Sequence, residues 1–127
     1  MQGLVMLVGR ILLATMFVSA GWSKIGGFEG TQGYMESMGV PGALLPLVIL
    51  LEFGGGLAII VGLGTRTIST FLALFCVASA VLFHSDFSQP MQSVMFMKNL
   101  AIAGGFLVLA AHGPGAISID GRIGRRW

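Results

Sequence analysis

Four apolar runs, each long enough to cross a lipid bilayer, dominate this sequence of 127 residues. A span needs about 20 consecutive apolar residues, because the hydrocarbon core is about 30 Å thick and a helix rises 1.5 Å per residue. The runs cover about Leu4 to Ile25, Ala43 to Leu63, Thr67 to His84 and Ser93 to Ala111. Within hydrocarbon a segment must satisfy its own backbone polar groups, so runs of this length form helices. Four crossings consume roughly 80 residues and leave only short connections. The expectation is all-α: a polytopic membrane four-helix bundle that forms a single domain over residues 1–127. Composition agrees, since only 9% of residues are charged and 55% are hydrophobic, against about 25% charged in soluble domains.

The first run contains Val18-Ser19-Ala20, which resembles a signal-peptide cleavage site. Arg10 sits late for a signal peptide and three more apolar runs follow, so the run is expected to remain as a helix. Gly26 to Gly42, with Glu29, Glu36, several glycines and Pro41, is expected to form a loop with a short interfacial helix around Tyr34, Met35 and Met38. Gly64-Thr65-Arg66 makes a very short link, Ser85 to Gln92 with Pro90 a turn, and Gly113-Pro114-Gly115 a stop.

Four crossings put both termini and the Arg66 link on one side. That side holds Arg66, Arg122, Arg125 and Arg126, and the other holds Glu29, Glu36 and Asp86. The positive-inside rule then places both termini in the cytoplasm. The net charge of +2 is too small and scattered for nucleic acid, and membrane lipid is the partner the basic tail suits. The single cysteine, Cys76, excludes an internal disulfide and reads as a small buried apolar side chain. Gly54, Ala58 and Gly62, and likewise Ala101 and Gly105, recur every four residues and are expected to serve close helix packing. The phenylalanines and methionines read as lipid-facing or core side chains.

Charges inside a membrane are costly, which makes Arg10, Lys24, Glu52 and Lys98, together with His84 and Asn99, the informative residues. Glu52 lies about 14 Å into the second run, near mid-bilayer, and must be protonated or paired with a cation. By depth alone Lys98 is its first candidate partner, then Arg10, then Lys24. Lys24, Glu52, His84, Lys98 and Asn99 form the candidate ligand-binding set in the half of the bundle nearest the acidic loops, with Arg10 a candidate for a structural ion pair. A cation there can hydrogen-bond a carbonyl or stabilise a phenolate, and a carboxylate can move the accompanying proton. The set suits a small polar or quinone-like headgroup. The bland alternative is an ion-pair network that only fixes helix register. His84 lies at the outer end of the third run and His112 at the inner end of the fourth, separated by most of the bilayer, so no metal site is expected, and no phosphate-binding glycine loop or nucleophile elbow is present.

The strings Gly21-Trp22-Ser23-Lys24-Ile25, Gly39-Val40-Pro41, Glu52-Phe53-Gly54-Gly55-Gly56, Gly62-Leu63-Gly64-Thr65-Arg66, Lys98-Asn99-Leu100-Ala101 and Ser118-Ile119-Asp120 together resemble the DoxX family. The resemblance spans nearly the whole chain. It implies a four-helix protein of the bacterial inner membrane, in a family whose members are often described as oxidoreductases and whose name comes from a subunit linked to quinol oxidation and thiosulfate:quinone oxidoreduction. Other members are associated with resistance to quinones or catechols, or with redox-stress complexes. The implied function is redox-associated binding of a quinone-like or small aromatic ligand as part of a larger system. The chain carries no electron-carrying cofactor motif, so a quinone enters as ligand and a redox partner protein would carry electrons. Two other readings stand beside this one: a structural or chaperone-like membrane subunit, and a small-solute transporter, although the repeats or broken helices common in transporters are not seen. Small chains with glycine stripes also self-associate, which leaves a homo-oligomer open.

Overall fold

The structure, a computed structural model, describes residues 2–124, so Arg125 and Arg126 of the charge pattern lie outside the described residues. Four helices are long and apolar enough to cross a membrane. They are α1 (Gln2–Gly26), α3 (Gly42–Val61), α4 (Thr65–Phe83) and α5 (Pro90–His112), with α2 (Phe28–Ser37) in the first connection and α6 (Ile119–Ile123) after the last span. No strand occurs among the described residues. The loop after α1 is therefore largely helical, and α2 covers more of it than the short helix expected around Tyr34, Met35 and Met38, beginning at Phe28 and ending before Met38.

The spans start and stop where local chemistry directs. Pro90 opens α5 instead of sitting in the turn before it, because the first helical turn has no use for the missing N–H. Gly62 ends α3 in the left-handed region at φ 76°, a conformation that costs other residues a clash at Cβ. α4 begins at Thr65, two residues before the apolar run, because a carboxylate from the tail accepts its first N–H groups. Asp120 Oδ1 and Oδ2 take the amides of Gly64 and Thr65 at 2.8 and 2.9 Å. Ser118 holds that tail by capping α6, accepting from the Gly121 N–H at 2.9 Å.

α3 is not a uniform helix. A 3-10 turn at Gly42–Leu44 leads into α-helix over Leu45–Ile49, then a π-helical turn at Leu50–Gly54 and α-helix again over Gly55–Val61. The wide turn shifts the register of everything beyond it. Of the expected stripe of Gly54, Ala58 and Gly62 only Gly62 is buried; the glycines packed against α1 include Gly56, where a Cβ would fall 2.7 Å from Val18 Cγ2. On α5, Gly105 faces Leu13 as a packing glycine, while Ala101 is exposed.

The bundle pairs α4 with α5 and α1 with α3. Its core gathers Ala14, Phe17, Ile59, Leu72, Cys76, Ala103 and Phe106. α5 and α1 meet more sparsely, at Leu13 beside Gly105 and Phe17 set edge-on to Phe106 with centroids 5.4 Å apart. The start of α1 and the end of α5 lie together: Gln2 Nε2 is 3.3 Å from His112 Nε2, and Arg66 donates to the carbonyls of Ala111 and His112. This is the terminal end of the bundle, and the opposite one, where α2 lies, is the loop end.

Candidate functional site

Lys24 donates to Glu52 Oε1 at 2.6 Å, which makes the α1–α3 pair the ionic centre of the loop-end half. Depth ranked Lys24 last among the partners, and the correction has a geometric reason. Side chains tilt toward the N-terminus of their helix. α1 runs toward the loop end, so the Lys24 stem points back down into the bundle, while α3 runs the other way and aims Glu52 upward. The two converge across a depth difference that their Cα positions alone exaggerate.

Close helix contact completes the geometry. A Cβ on Gly21 would lie 2.7 Å from Phe53 Cβ and 2.8 Å from its backbone nitrogen, so only glycine lets α1 touch the π turn, one helical turn before Lys24. The π turn carries Glu52 inward, leaving it 3% exposed. Such turns inside α-helices occur often at functional positions.

Arg10 does not pair with Glu52. It is 1% exposed at the terminal end and donates from Nη2 to the Ile117 carbonyl at 2.5 Å, with Asp120 close by. The same tilt sends its guanidinium away from the loop end. Lys98 is corrected too: it is exposed on α5, about 12 Å along the helix from Pro90, and does not line the cavity described below. Asn99, Lys24, Glu52 and His84 do line it.

That cavity has a volume of about 420 Å³, within the range of small-molecule sites. Its floor carries Met16, Phe17 and Phe75, and its walls Ala20, Val48, Cys76, Ser79, Leu82 and Met95. α2 contributes Thr31, Tyr34 and Met35, and the Tyr34 ring stacks on Phe83 at 5.5 Å. His84 ends α4 and lies 3.1 Å from Gln92 Oε1 through Nδ1. The site is an apolar chamber with an ammonium–carboxylate pair, an amide and an imidazole at separate points of its wall. Such a chamber can hold a flat ring and satisfy a carbonyl or hydroxyl on it.

Sequence reasoning left out Thr31, Tyr34 and Ser79 as lining residues and read Cys76 only as buried. Cys76, Ser79 and Phe83 fall on one helical face, a signal present in the sequence but no different from ordinary core spacing. His112 sits at the far end of the bundle beside Gln2, so the two histidines have separate surroundings.

The sequence pattern of the DoxX family matches residues 5–85. This chain belongs to the DoxX family. The Escherichia coli inner membrane protein YqjF is 60% identical over 121 residues, 95% of this chain and 93% of YqjF. A second Escherichia coli inner membrane protein, YphA, is 36% identical over 92% of this chain and 89% of its own length. CatD of Bacillus subtilis, provisionally named an oxidoreductase, is 29% identical over 57% of this chain and 54% of CatD. No solved structure matches the chain. As a DoxX protein with four spans and such relatives, it is a multi-pass protein of the inner membrane.

Proposed function

We propose that this DoxX protein is redox-associated and binds a quinone-like or small aromatic ligand in the loop-end cavity, as one part of a larger electron-transfer system. One observation carries the reading: the Lys24–Glu52 pair lies in the wall of an apolar chamber of about 420 Å³. Lys24 has three donors and commits one to Glu52, so others remain to meet a carbonyl or a phenolate. Glu52 accepts or returns the proton that accompanies reduction of such a ring. Asn99 and His84 supply further polar contacts. The provisional name of CatD points to the same class of chemistry.

The test is thermal stabilisation of the purified protein by benzoquinone analogues. Native protein is expected to melt at higher temperature with ligand, and Glu52→Gln to lose most of that increment while keeping its own fold. A second reading treats the pair as a brace, and the close approach of α1 to α3 at Gly21 and Gly56 favours it. On that reading Glu52→Gln lowers the melting temperature, and no analogue raises that of native protein.

A further inference from the structure

We propose that the ligand of this cavity is an amphiphile dissolved in the membrane, which enters sideways between α1 and α5 and leaves an apolar tail in a groove below the cavity. The proposal rests on the cavity being a head-binding site. Its own support lies outside that chamber. A groove of about 390 Å³ runs along the lipid face between these helices, lined by Gly9, Leu12, Leu13, Met16 and Ile102. None of these side chains is polar. Met16 belongs to the linings of both the groove and the cavity, so the two spaces adjoin there with the unbranched Met16 side chain between them.

Depth fits the arrangement. Met16 lies about 15 Å along α1 from its loop end and Gly9 about 25 Å, so the groove leads from the cavity floor toward and past mid-bilayer. A head near Lys24 and Glu52 therefore has its tail directed into hydrocarbon, as a membrane amphiphile requires. The α1–α5 seam is also sparsely packed, anchored by Leu13 at Gly105 and by Phe17 at Phe106. A water-borne aromatic would have no use for the groove and would enter past α2. Moving a tail from lipid into an apolar groove gains little free energy, because lipid is as apolar as the lining. The groove acts by shape: it admits a tailed ligand that a filled seam would exclude.

Blocking the groove tests this without touching the cavity. A Cβ on Gly9 would meet nothing within 4 Å and Leu12 is 71% exposed, so Gly9→Phe and Leu12→Trp each fill the seam at little risk to folding. The full chain in lipid nanodiscs is titrated with a decyl-substituted dimethoxybenzoquinone, and with the same ring bearing methyl in place of decyl. The expected result is that both variants weaken the decyl probe about tenfold or more and leave the methyl probe within about twofold. Equal losses for both probes, no loss for either, or native protein that binds only the methyl probe would overturn the tail groove and leave the head site standing. Native protein that binds neither probe would remove the head site and the groove together.

Discussion

An acidic side chain at the centre of a membrane helix costs about 2.5–3.5 kcal/mol even on insertion scales, and the Lys24 ammonium offsets that cost at 2.6 Å. Removing one partner of a buried pair leaves the other uncompensated, which in proteins costs about 3–5 kcal/mol. Lys24 keeps 27% of its side chain exposed, so the lower part of that range applies. Lys24→Met is expected to destabilise the protein by about 3 kcal/mol, measured by denaturation in mixed micelles. Adding Glu52→Gln to it should recover at least about 1 kcal/mol, the coupling expected of residues in contact. Strictly additive losses would show that the two side chains do not depend on each other.

At the scale of elements, the decisive feature of the terminal end is a short helix that caps a long one. α6 brings the Asp120 carboxylate to the first amides of α4, where unpaired N–H groups and the positive end of the helix dipole meet. The backbone joins in, with Asp120 N–H donating to the Gly62 carbonyl at 2.9 Å. Gly62 is confined by this contact: a Cβ there would collide with the Arg10 guanidinium and with Ser118. Asp120→Ala is expected to cost about 1–2 kcal/mol and to speed tryptic cleavage after Arg122 by local opening of the tail. Asp120→Asn should fall between the two, since it keeps one acceptor and loses the charge. Unchanged melting and cleavage in Asp120→Ala would mean that α4 starts without help from α6.

For the molecule as a whole, the distribution of charge sets the expected orientation. Arg66 and Arg122 lie at the terminal end and Glu29, Glu36 and Asp86 at the loop end, so the positive-inside rule predicts a periplasmic loop end, with the cavity in the outer half of the bundle. The native chain has one cysteine, and it is buried, so single introduced cysteines report cleanly. Ser88→Cys should react with a membrane-impermeant maleimide in intact spheroplasts. Arg122→Cys should react only after the membrane is opened. The reverse pattern would invert the bundle and put the cavity on the cytoplasmic side.

Length and hydropathy suffice to set the four spans, because lipid leaves a long apolar segment one way to satisfy its backbone. The short strings from Gly21 to Asp120 likewise carried the family, and the cost of charge in a membrane was enough to single out Arg10, Lys24, Glu52 and Lys98, with Asn99 and His84 beside them. Which cation meets Glu52 was decided only in three dimensions. Depth counted along a helix ignores the tilt of side chains, and that tilt carries Lys24 down to Glu52 and Arg10 away from it. Lys98 shows the same limit: its position along α5 is legible, but its face depends on how the spans pack, and the packing leaves it outside the cavity. The π turn at Leu50–Gly54 has no signature in residue types, since it follows from the fit of α3 against Gly21 and Val18. The role of Ser118 and Asp120 was hidden for a related reason: a tail beyond the last span acquires a structural task only once the chain has folded back to bring the amides of Gly64 and Thr65 within its reach.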